Sequence, residues 1–249
     1  MKKFELTSEF ITNIFGTKLF RIKALVEFGN VKAGELGGYI EKEENLSQYG
    51  NAWVCDDAWV CDDALVYGDA WVCGNAWVYG DAEVYGDAWV CDDARVYGDA
   101  RVYGNAWVCD DARVYGDARV YGNARVYGDA RVYGNALVYG DAEVCGNAWV
   151  YGDAWVCGNA RVYGDARVCD DARVYGNDDF ATVHGFGSEH RTTTFFRLKD
   201  GNIGVRCGCF YGNLSEFRKK VVETHGETKK AKEYLMIADL MEFRFSDNS

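Results

Sequence analysis

From Ala52 to Asn177 the apolar and polar positions of the chain recur every six residues, 21 times in succession and without an insertion. Each hexad reads Ala, a variable residue, Val, Tyr or Cys, Gly or Asp, and finally Asn or Asp; the Ala and the Val never change. Ala-x-Val has period two, so Ala and Val share one face of a short strand while x faces the other way. The closing pair is turn chemistry, because Gly adopts positive φ freely and Asn or Asp tolerate it best among the other residues. Each hexad therefore predicts a short strand followed by a tight corner. A unit of that size buries nothing alone. Wound into coils and stacked, it buries a continuous Ala/Val column and pairs its backbone with the coils above and below. The residue after Val, Tyr 13 times and Cys eight times, is expected outside beside x. The core is then built of small residues and the exterior is aromatic.

An aliphatic residue followed four positions later by a small one resembles the hexapeptide repeat of left-handed parallel β-helix proteins. The resemblance implies triangular coils of three hexads, hence about seven coils, with left-handed winding. With 18 residues per coil, positions 18 apart stack. One face then carries Trp53, Trp71, Trp89, Trp107, Arg125, Glu143 and Arg161; the next carries Trp59, Trp77, Arg95, Arg113, Arg131, Trp149 and Arg167. The third carries Leu65, Glu83, Arg101, Arg119, Leu137, Trp155 and Arg173. Cys55, Cys73, Cys91 and Cys109 stack beside the four-Trp column.

The flanks read differently. Residues 1–51 form an N-terminal β cap, with strand-like alternation over Leu19–Leu25 and Gly34–Ile40, because the open end of a solenoid has to be covered. The cap leads into the first coil at Asn45-Leu46-Ser47, and the repeats occupy 52–177. Residues 178–249 read as a ββαα module. Two strands, 191–198 and 203–211, are joined at Lys199–Asn202; a helix begins at Asn213 and stops at His225-Gly226. A second helix, near Thr228 to Phe243, is expected to bury Tyr234, Leu235, Ile237, Ala238 and Leu240. The chain is similar to hexapeptide-repeat proteins encoded by tailed phages and prophages on Arg21–Leu25 and Val31–Glu41 in front and on Thr192–Phe196 and Val205–Phe210 behind. That resemblance implies an origin and no established activity.

Charge narrows the function. The chain carries a net −12, and the repeats account for all of it, with nine Arg and no Lys against 19 Asp and two Glu. Such a balance argues against general binding to nucleic acid or anionic membranes. No apolar run has the length of a membrane span, and Met1–Glu5 leads into no signal-peptide core, so a cytoplasmic location with reduced thiols is expected. The Asp residues fall at corners. They read as supports of solubility that pair weakly with Arg, as an acidic edge that mimics a phosphate backbone, or as a calcium site, although the calcium β-roll pattern is lacking.

Little in the sequence suggests catalysis. Hexapeptide-repeat acyltransferases use a His base, but the three His, at 184, 190 and 225, all lie outside the repeats. Cys207 and Cys209 with one of these His could hold zinc, yet no second ligand pair stands at fixed spacing. Gly185-Phe186-Gly187-Ser188 lacks the Lys-Ser/Thr of a phosphate loop. No enzyme activity, metal or cofactor is expected. The candidate surface comprises Trp53, Trp59, Trp71, Trp77, Trp89 and Trp107 with Arg95, Arg113 and Arg131. Its stacked columns read either as stabilising ladders or as a contact face for a protein, whether a second copy or a host protein that it inhibits. A nucleotide stacked on Trp or Arg is the alternative ligand.

Overall fold

The computed structural model describes residues 2–186 and 191–246. Its 21 repeat strands, β4 (Trp53–Val54) to β24 (Arg173–Val174), are two to four residues long, one per hexad. They pair in parallel at a register of 18, Trp53 with Trp71, Trp59 with Trp77 and Leu65 with Glu83, and so on through the stack. Three parallel faces result, as the resemblance to hexapeptide-repeat β-helices implies. Every repeat Ala and Val is buried, forming one continuous core along the axis.

The corners show why the closing pair is restricted. Fifteen of them hold Gly at φ between 63° and 73°, and five hold Asp at 54–59°: Asp56, Asp62, Asp92, Asp110 and Asp170. Each of these Asp follows a Cys. Asp is accepted in this left-handed conformation because its carboxylate finds local partners. Here Asp56, Asp62 and Asp110 accept the backbone N–H of Gly74, Gly80 and Gly128, one coil on, at 3.1, 3.0 and 2.9 Å. In the position after the corner, Asn amides donate to the carboxylate above, as from Asn123 to Asp141 and Asn135 to Asp153 at 2.9 Å. The acidic edges are thereby built into the stack.

The N-terminal segment contributes strands β1 (Phe4–Thr12), β2 (Lys18–Ala24) and β3 (Leu36–Ile40). The first two form an antiparallel hairpin, of which the sequence pattern indicates only the second strand. β3 pairs in parallel with β5 (Trp59–Val60), and Leu46 bridges to Val66. The cap thus already contains an incomplete coil, which brings the solenoid to about eight turns where the hexads alone give seven. Asn45 closes this turn, its buried amide donating to the carbonyls of Asp62 and Ala64 at 3.0 and 2.9 Å. Lys3 closes the end in another way, with Nζ donating to the Ala52 carbonyl at 2.9 Å. Burial pulls the Lys3 ammonium down to a pKa of about 8.

Beyond the last coil stands an antiparallel sheet, β25 (Phe180–Phe186), β26 (Arg191–Arg197), β27 (Ile203–Cys207) and β28 (Phe210–Asn213), followed by helices α1 (Leu214–His225) and α2 (Lys229–Phe245). This corrects the expected ββαα order to four strands and two helices. The 203–211 stretch is not one strand, because Gly208 turns at φ +58° between β27 and β28. Side chains alternate across the sheet. Phe180 and Phe196 join the solenoid core, whereas Phe195 and Val205 pack under the helices. α1 starts as expected at Asn213, whose side chain and that of Glu216 cap each other's backbone N–H. α2 buries Ala231, Tyr234, Ile237, Ala238, Met241 and Phe245. Leu240, expected inside, is 58% exposed because it lies off that stripe.

Candidate binding surface

The outward columns form as the 18-residue register requires, but the N-terminal segment covers their first rungs. Trp53 is fully buried: Phe28 meets its ring edge-on at 5.3 Å, and at Gly37 a Cβ would stand 2.6 Å from its Cζ2. Trp59 is covered by Tyr39, Leu19 and the hairpin tip, where Phe15 lies 6.5 Å from its ring. Both residues therefore leave the candidate outer surface. An apolar ring at the end of a solenoid has no coil beneath it, so the cap packs there.

The remaining Trp column lies further out. Trp71, Trp89 and Trp107 stack at centroid separations of 5.8 and 5.7 Å, and the last two are 39% and 46% exposed. Arg125 continues the column over the Trp107 ring at 5.8 Å. On the second face Arg95 sits 4.1 Å over Trp77, Arg113 and Arg131 follow in register, and Trp149 is held between Arg131 and Arg167 at 4.8 Å each. Arginine guanidinium over an indole face is a favourable cation–π arrangement. The switch from Trp to Arg along a face therefore keeps the stack continuous while making its surface cationic.

Tyrosines form two further ribbons. Tyr79, Tyr97, Tyr115, Tyr133 and Tyr151 stack at 4.9–5.0 Å, and Tyr67, Tyr85, Tyr103, Tyr121 and Tyr139 at 4.7–5.0 Å. They are half-buried against x-position neighbours, and burial holds Tyr79, Tyr97, Tyr115 and Tyr133 above the usual phenol range. Beside the first face the ribbon is Cys at five of seven positions, with Tyr127 and Tyr163 at the others. Six of the eight Trp are followed two residues later by Cys and not Tyr, so a small side chain makes room where two outward neighbours would otherwise both be bulky. The four stacked thiols, expected to be reduced and inert, are joined instead. Cys55 pairs with Cys73 and Cys91 with Cys109, because in-register coils set each Cα pair 4.7 Å apart, inside the disulfide range. Burial pushes the Cys61 and Cys169 thiols up to about 12, which makes them poor nucleophiles.

Among the described residues, the flanking Cys and His do not gather into one site. Cys207 receives the Thr193 hydroxyl at 3.2 Å, while Cys209 lies across the Gly208 turn and is exposed, so the two thiols do not share a strand face. His225 stacks on Tyr234 at 5.8 Å, and His184 Nδ1 lies 3.0 Å from Thr192 Oγ1. His190, Gly187 and Ser188 lie outside the described residues. Of the donor groups that gather among the described residues, Cys55–Asp56–Cys73 and Cys91–Asp92–Cys109 have their sulfurs in disulfides, which leaves Glu41–Cys61–Asp62. No described helix is long and apolar enough to cross a membrane.

The geometry defines a repeat β-solenoid, and comparison with known families agrees. The model of the YdcK beta solenoid repeat matches residues 58–74, 94–110, 112–128, 118–132, 130–144 and 154–169, all within the coils. The repeats are similar to that family's, over about a third of the chain. No curated protein matches the chain.

Proposed function

We propose that this chain is a non-enzymatic binding scaffold that engages a protein through the outer faces of its solenoid. The observation that carries the reading is the Trp71–Trp89–Trp107 column with Arg125 at its end. Large apolar rings standing in register on a rigid support are what a protein interface uses as anchors, and the core needs none of them. Parallel coils hold the rings without cost at the moment of binding, which favours affinity. The partner is a second copy of the chain or, given the resemblance to phage-encoded repeat proteins, a bacterial host protein whose activity it blocks. The acidic corners flanking the face select against acidic partners.

Light scattering on the purified chain, alone and after passage of a bacterial lysate, tests this. Trp89→Ala with Trp107→Ala should abolish the oligomer or the captured protein while leaving the circular dichroism spectrum unchanged. A double variant that assembles and captures as the parent does would sink the proposal.

A further inference from the structure

The C-terminal sheet overhangs the last coil and leaves a notch of about 370 Å³ between them, within the range of small-molecule sites. Strand alternation decides what lines it. The side of the sheet that carries Phe180 and Phe196 onto the solenoid end also carries His184, Thr192 and Arg206. Thr194, on the same side, anchors the overhang by accepting the Arg167 backbone N–H at 3.0 Å. From below, the second face contributes Arg167 and Asp165. Arg191 enters at the rim against Gly208, where a Cβ would stand 2.8 Å from its Nη1.

Among the described residues, Arg167 and Arg206 line the notch with one carboxylate, Asp165, in a chain of net charge −12. The Nε of Arg206 is also buried with no hydrogen-bond partner among the described residues. A buried donor left unmet is costly, and the same Arg206 side chain lines the notch. Planar Arg forks match phosphate oxygens two at a time, and Thr192 Oγ1 and the His184 ring, 3.0 Å apart, add donors of the kind a phosphate edge accepts. A second groove of about 370 Å³ shares Asp165 and Arg167 and continues along the face past Asn147, Trp149 and Arg131. It offers polar and aromatic surface for an organic body attached to the phosphate.

We infer that this notch is a binding site for a nucleoside monophosphate, its phosphate held by Arg167, Arg206, Thr192 and His184 and its base and sugar in the adjoining groove. The site shares no residue with the Trp71–Trp89–Trp107 column, and its groove reaches the candidate surface only at Arg131.

Isothermal titration of the full chain with AMP and with inorganic phosphate tests the assignment. AMP should bind at one per chain and more tightly than phosphate. Arg206→Gln and Arg167→Gln should each weaken it about tenfold or more, while Arg119→Gln on the third face should not. Arg206→Lys, which keeps the charge and removes the fork, should weaken it too, and serves if the Gln variant misfolds. Absence of binding at millimolar AMP, or binding unmoved by changes at Arg206 and Arg167, overturns the site. AMP binding no tighter than phosphate overturns the nucleotide assignment.

Discussion

Replacing one corner glycine separates the cost of a backbone conformation from the cost of stacking. Gly104 and Gly164 have nearly the same φ, +71° and +63°. An L-residue in this region costs about 1–2 kcal/mol, offset by about 0.4–1 kcal/mol from the stiffer unfolded chain. Both Ala variants should therefore lose about 1 kcal/mol on this count. Their surroundings differ. A Cβ at Gly104 would lie 3.0 Å from the backbone N of Gly122 in the next coil, whereas at Gly164 nothing lies within 4 Å. Backbone held in a ladder on both sides yields poorly, and overpacking of this kind adds about 1–3 kcal/mol. Gly104→Ala should thus lose about 2–4 kcal/mol in all. Equilibrium urea unfolding of the two variants, compared at equal m, measures the difference. Equal losses would refute the claim that coil-on-coil contact, beyond φ, restricts the corners.

Two further predictions concern the exterior. Trp53→Ala should cost about 3–5 kcal/mol as a buried large-to-small change, and Trp107→Ala about 1 kcal/mol or less; comparable losses in denaturant midpoints would contradict the burial assignment. Stability should fall at alkaline pH. Stacked tyrosines hold their phenols above the ordinary 10.0 because burial disfavours the phenolate, so above that pH the folded chain binds more protons than the unfolded one. Their contribution is complete below pH 10 and is lost as pH climbs through the raised values. Lys3 acts oppositely, gaining stability between about 8 and 10.5, but it is one group against many. A melting temperature that stays level through the phenol titration would refute this.

Legibility in the sequence followed the range of the forces involved. The six-residue alternation implies strands and corners, because each depends only on neighbours along the chain, while the 18-residue register comes from the resemblance to hexapeptide-repeat β-helices. The α1 boundaries were legible for the same reason, with Asn213, Glu216 and Gly226 acting within one helical turn. The strand β1 was missed because it has no repeating partner. Apolar spacing leaves open which stripe of α2 faces the sheet, and Leu240 lies off the buried one.

The sequence alone therefore determined the strand-and-corner repeat and its Ala/Val core, and with the three-hexad coil that the family resemblance implies it also determined the stacked columns. It did not reveal which rungs of those columns face solvent. Only the tertiary structure placed Phe28 and Gly37 around Trp53 and Phe15 over Trp59, leaving Trp89 and Trp107 as the exposed rungs. It alone brought Arg167 under Arg206 and Thr192. Those contacts join segments that share no period, and packing between them is settled by shape and buried area once the chain has folded.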